Sequence, residues 1–124
     1  MDPPFDVTRI LFSAVFSDDM VLQRAPQQAA IFGTATPGAS VTVSMMGPNK
    51  YAWTSAPAPV STDADATVGG TWKVILPARS AGFGYSVAAA CSGCPKTTVV
   101  SITGVGFGDV SGCAGALSYL TRQR

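Results

Sequence analysis

Thr71-Trp72-Lys73-Val74-Ile75-Leu76, closed by Pro77, decides the fold class. Apolar and polar residues alternate with a period of two, so Trp72, Val74 and Leu76 share one face of an extended strand. Pro77 supplies no backbone N–H and ends the run. Val41-Thr42-Val43-Ser44-Met45 and Tyr85-Ser86-Val87-Ala88 have the same period. Further strands are expected at Val7 to Phe16, Met20 to Leu22, Ala29 to Phe32, Lys50 to Thr54 and Thr97 to Ile102, the last rich in β-branched residues.

Turn residues separate these runs. Gly33 is expected to stop the strand at Phe32. Thr36-Pro37-Gly38-Ala39 has proline where φ is preset and glycine where φ > 0 is needed. Gly82-Phe83-Gly84 reads as a second turn. Residues 56–70 are rich in Pro, Ala, Ser and Asp and show no period, as in a loop or insertion. No segment before residue 112 has a capped 3.6-residue stripe; only Ala114 to Leu120 has helical character. About seven short strands with regular turns give an all-β fold, an antiparallel immunoglobulin-like β-sandwich. It spans residues 1–110, with a divergent tail over 111–124.

Composition agrees. The 124 residues contain 13 Gly, 9 Pro and no Glu, which disfavours helices. Charged residues make up 12% of the chain, against about 25% in an average domain. That scarcity points to a buried or partner-covered face, or to a piece of a larger protein. Eight basic and seven acidic residues give a net charge of +1. The basic residues are scattered, so no phosphate-binding stripe forms and nucleic acid is not an expected partner. No stretch approaches the ~20 apolar residues of a membrane span. The run from Ile10 to Phe16 lacks the basic start and the length of a signal peptide.

Histidine is absent from the sequence. The chain therefore has no imidazole base near neutral pH and no imidazole metal ligand. Cys91-Ser92-Gly93-Cys94 is a C-x-x-C, but zinc normally takes four ligands and a redox pair normally opens a helix. A local disulfide or two reduced thiols between strands is the expected state, with Cys113 elsewhere. Asp18 and Asp19 are adjacent, so their side chains diverge and cannot flank one bond. Asp63 and Asp65 sit in the loose loop, where turn formation is the ordinary role. Tyr51 and Trp53 share a strand face and are the best candidates for an exposed aromatic platform, although core packing is the commoner fate of such residues. Lys73 and Lys96 read as solvated charges.

Three blocks together resemble the amino-terminal region of sialate O-acetylesterases. They are Ser17-Asp18-Asp19-Met20-Val21-Leu22-Gln23-Arg24 with Gly33 and Pro37-Gly38-Ala39-Ser40-Val41-Thr42-Val43; Gly70-Thr71-Trp72-Lys73-Val74-Ile75-Leu76-Pro77; and Gly108-Asp109-Val110. The likeness covers Phe16 to Val110. It implies a β-sandwich followed by an SGNH-type hydrolase domain that removes O-acetyl groups from sialic acids or related sugars. Acetylated sugars and a hydrolase domain are the partners it implies. In that family the nucleophilic serine follows G-D-V-W, within C-S-G-Q-S-N-M. Here Cys113 and Gly115 match, but Leu117 takes the nucleophile position and Ser118 lies one residue beyond. The implied acid and base, a distant Asp and His, have no counterpart before Arg124. A serine hydroxyl needs a neighbouring base to attack an ester. No residue is therefore assigned a catalytic, cofactor or metal-binding role. The chain reads as an inactive fragment or accessory domain of such a hydrolase; the alternative is a free-standing carbohydrate-binding or protein-interaction module.

Overall fold

The computed structural model describes residues 8–62 and 70–109. These residues form nine β-strands and no α-helix. The strands are β1 (Leu11–Phe12), β2 (Val21–Gln23), β3 (Ala30–Ala35), β4 (Ser40–Met46), β5 (Ala52–Thr54), β6 (Ala58–Pro59), β7 (Gly70–Ile75), β8 (Gly82–Ser92) and β9 (Val99–Gly108). One sheet runs β1-β3-β7, and the other runs β2-β9-β8-β4-β5 with β6 also on β4.

The period of two becomes burial. Along β7, Trp72 and Val74 are buried while Thr71, Lys73 and Ile75 are exposed; β4 buries Val41, Val43 and Met45. The register places Gly33 opposite Trp72 and Ile31 opposite Val74, so the inner faces of β3 and β7 coincide. Buried side chains from both sheets, including Ile31, Trp72, Leu76, Val43, Val87 and Phe107, belong to one core. Fully burying a side chain of this size stabilises by about 1.5–3 kcal/mol relative to exposure. Trp72 also donates its indole Nε1–H to the Thr34 carbonyl at 3.1 Å, as a buried indole must.

Several expectations are corrected. The sheets are not wholly antiparallel, because β2 runs parallel to β9, with Leu22 opposite Phe107. Gly33 does not end its strand; β3 continues to Ala35. A Cβ at Gly33 would overlap the Leu11 carbonyl oxygen, so glycine there admits the close approach of the paired β1 backbone. The first strand is only Leu11–Phe12, since Ser13 to Phe16 closes a turn by a 3.0 Å backbone bond. Lys50 belongs to a short 3-10 turn over Pro48–Lys50 with φ +62°. Gly82-Phe83-Gly84 is a bulged part of the 11-residue β8, not a turn. Within the expected loop, β6 pairs with β4, and Ser61 reaches Thr71. The turn at Thr36 to Ala39 forms as read, with Gly38 at φ +82° and Ala39 N–H donating to Thr36 O. Residues 111–124, and with them Cys113, Leu117 and Ser118, lie outside the described residues, as do Asp63 and Asp65.

Candidate functional site

The segment Asp18 to Arg24 is fastened along β9. Asp18 Oδ1 accepts the Thr103 backbone N–H at 2.8 Å. The Asp19 N–H donates to Thr103 O at 2.9 Å, and the Gly106 N–H donates to Met20 O at 2.9 Å. Leu22 is fully buried. Arg24 N–H donates to Gly108 O at 3.0 Å, and its Nε lies 2.9 Å from Asp109 Oδ1. Asp19 and Gly104 both have positive φ, at 64° and 68°. A Cβ on Gly104 would run into the Asp19 carboxylate. Asp18 and Asp19 lie in a turn, not in the extended chain for which opposite faces are expected, and their carboxylates meet the neighbouring residues Thr103 and Gly104 of β9.

These contacts differ in weight. The Asp18 bond satisfies a strand amide displaced from the ladder, so Asp18→Ala should lower stability by about 1 kcal/mol in urea unfolding. The Arg24–Asp109 pair is largely solvated, with side chains 42% and 64% exposed. It orients chain ends more than it stabilises them.

A second cluster surrounds Arg79. Its guanidinium carbon sits 3.7 Å from the Tyr51 ring centroid, and its Nε donates to the Tyr85 hydroxyl at 3.2 Å. Tyr85 is buried and meets Phe107 edge-on at 4.9 Å. Tyr51 thus has one face covered by a cation, an attractive arrangement. Trp53 lies opposite buried Met45 and packs on the core. Tyr51 and Trp53 are both half-buried and do not form the exposed pair that an aromatic platform needs. Nothing in the spacing of Arg79 announced this cluster; it arises because the chain after Pro77 folds back, with the Ala25 N–H donating to Arg79 O at 2.6 Å.

An open groove of about 520 Å³ lies between β6 and β7, lined by Ala58, Pro59, Phe32, Thr71, Trp72 and Lys73 among others. Its ionisable group is the Lys73 ammonium, and Trp72 shows only 2% of its surface. The groove has no paired acid and base. Among the described residues no cluster of three or more His, Cys, Asp or Glu could hold a metal ion, and no helix is long and apolar enough to cross a membrane.

Cys91 and Cys94 form a disulfide, both nearly buried, around Gly93 at φ +108°. Of the two expected states, the oxidised one is present. The bridge holds the end of β8 where Cys91 N–H meets Thr98 O. For so short a loop, reduction should cost about 2 kcal/mol, measurable as a lower urea midpoint with a phosphine reductant.

The outer face of the larger sheet carries no charge among its described strand residues: Thr42, Ser44, Ser86, Ala88 and Ser101 are typical. The large exposed apolar side chains are Met46, Ile75, Phe83 and Val99. They are dispersed: Met46 and Val99 sit at opposite ends of the β8 pairing, opposite Ser86 and Ala90, and Ile75 belongs to the other sheet. The scarcity of charge seen in the composition therefore maps to a polar, uncharged face, not to a continuous apolar patch. Compared with known proteins, the chain matches no family model and no curated protein.

Proposed function

We propose that this chain is a non-catalytic β-domain of the kind that precedes the hydrolase domain in sialate O-acetylesterases, with an immunoglobulin-like sandwich as its architecture. The observation that carries the reading is the β2–β9 seam. The blocks Ser17 to Arg24 and Gly108-Asp109, 85 residues apart at the Arg24–Asp109 pair, meet side by side. Residues quoted for the resemblance have structural work there: Asp18 on the Thr103 amide, Leu22 in the core, Arg24 on Asp109. A motif built for folding accounts for such a pattern without any chemistry at the motif itself.

Physical chemistry supports the non-catalytic half of the proposal. The sequence holds no histidine, and a hydroxyl without a base is a weak nucleophile. The test is an acetylesterase assay with a chromogenic acetate and an O-acetylated sialic acid. The purified chain should release acetate no faster than buffer. Turnover abolished by Ser118→Ala would overturn the proposal.

A further inference from the structure

We propose that the chain self-associates through the free edge of β7, forming a two-fold dimer in which the three-stranded sheet continues into that of a second copy. β7, with six residues, is the longest of the five edge strands; β1, β2, β5 and β6 have two or three.

The direction of each backbone group follows from three hydrogen bonds. Ser61 N–H donates to Thr71 O at 2.9 Å, and Thr71 N–H donates to Ser61 Oγ at 3.0 Å. Thr71 therefore turns its backbone groups away from β3. Leu76 N–H donates to Ala29 O at 2.8 Å, toward β3. Backbone groups alternate sides along an antiparallel strand. Lys73 and Ile75 consequently point theirs outward, and these N–H and C=O groups have no hydrogen-bond partner among the described residues.

That pattern is self-complementary. A two-fold axis beside Val74 sets Lys73 opposite Ile75 of the partner subunit, and Ile75 opposite Lys73 of the partner subunit. Each facing pair exchanges two N–H···O bonds, so every open group on both edges is satisfied. The next facing pair would be Thr71 with Pro77. Thr71 is already bonded to Ser61, and proline has no N–H. Donors and acceptors run out together at both ends of the edge. Side chains agree as well. Ile75 is 49% exposed on the outer face, and in this register it lies along the methylene stem of the facing Lys73. Beyond Thr71 no described strand pairs with this edge, which β6 flanks across the open groove at Lys73; such an edge is a template for pairing, and this one fits its own copy.

The interface is small, so association is expected to be weak and concentration-dependent. Sedimentation equilibrium on the intact chain, from about 10 μM to about 1 mM, should show a mass rising from 12.7 kDa toward twice that value. Amide exchange at Lys73 and Ile75 should slow over the same range. Ile75→Lys sets like charges across both facing pairs and should weaken association roughly tenfold or more. The double variant Lys73→Glu with Ile75→Lys sets opposite charges across them and should restore it. Both positions face solvent, and far-UV circular dichroism checks that each variant folds. A monomer throughout the range would overturn the proposal. So would association indifferent to Ile75→Lys, or a double variant no better than the single one.

Discussion

Trp72→Ala is expected to lower the stability of the folded chain by about 3–5 kcal/mol, the loss typical of a buried tryptophan. The indole is 98% buried, spans the core from β7, and meets the Phe12 ring at 6.0 Å. Its removal leaves a cavity and strips the Thr34 carbonyl of the indole N–H. A domain of this size has roughly 5–15 kcal/mol in total, so much of the chain should be unfolded well below the normal midpoint. Urea unfolding followed by far-UV circular dichroism measures the loss. Trp72→Phe separates the terms: it keeps a ring in the core, loses the hydrogen bond, and should recover roughly half of the deficit. Equal losses in the two variants would mean that the hydrogen bond, not the packing, dominates.

Gly33→Ala should be nearly as damaging despite adding a single methyl group. The new Cβ would overlap the Leu11 carbonyl oxygen and approach Phe12 Cα to 3.0 Å. Both obstacles are backbone, so relief requires β1 to separate from β3. Overpacking of this kind costs about 1–3 kcal/mol, and loss of the β1 pairing places the effect at the upper end. Gly82→Ala is the control. The nearest atom there, Ser80 O, lies 3.9 Å away, and stability should change by no more than about 0.5 kcal/mol. If Gly33→Ala behaved like Gly82→Ala, the close approach of β1 to β3 at Gly33 would be wrong.

The difference between these two glycines shows what the sequence could and could not convey. Alternation in Thr71 to Leu76 and Val41 to Met45 was readable because a sheet with one buried face imposes a period of two. Gly33 and Gly82-Phe83-Gly84 looked like punctuation because glycine serves turns, bulges and close approaches alike. Only the position of Leu11 on the neighbouring strand distinguishes a close approach from a stop. The parallel β2–β9 pair was hidden for a similar reason. Parallel neighbours need a long connection, here residues 24–98, and no local pattern records it. The resemblance blocks were legible as blocks, but their contact through Asp18, Arg24 and Asp109 was not. Arg79 stacked on Tyr51 was equally hidden, since a cation–π contact leaves no spacing in the chain. Of the pair expected on one strand face, Trp53 lies on β5 opposite Met45 while Tyr51 precedes the strand, and both pack against the core.

The uncharged face of the larger sheet links composition to function. A sequence with so few charges must leave some surface without them, and the structure gathers that surface on β4, β8 and β9. Ser and Thr hydroxyls keep such a face compatible with water, and a neighbour covering it must supply them with hydrogen-bond partners. The polar groups seen at the β2–β9 seam are consumed in holding strands together.

Activated serines declare themselves chemically, so the most direct measurement is the intact mass of the full chain after incubation with a fluorophosphonate probe. Such probes bond only to a serine whose proton a neighbouring base can take. The account predicts an unchanged mass after prolonged exposure at neutral pH, with a serine hydrolase labelled fully in the same tube. A single adduct that maps to Ser118 and vanishes in Ser118→Ala would contradict it.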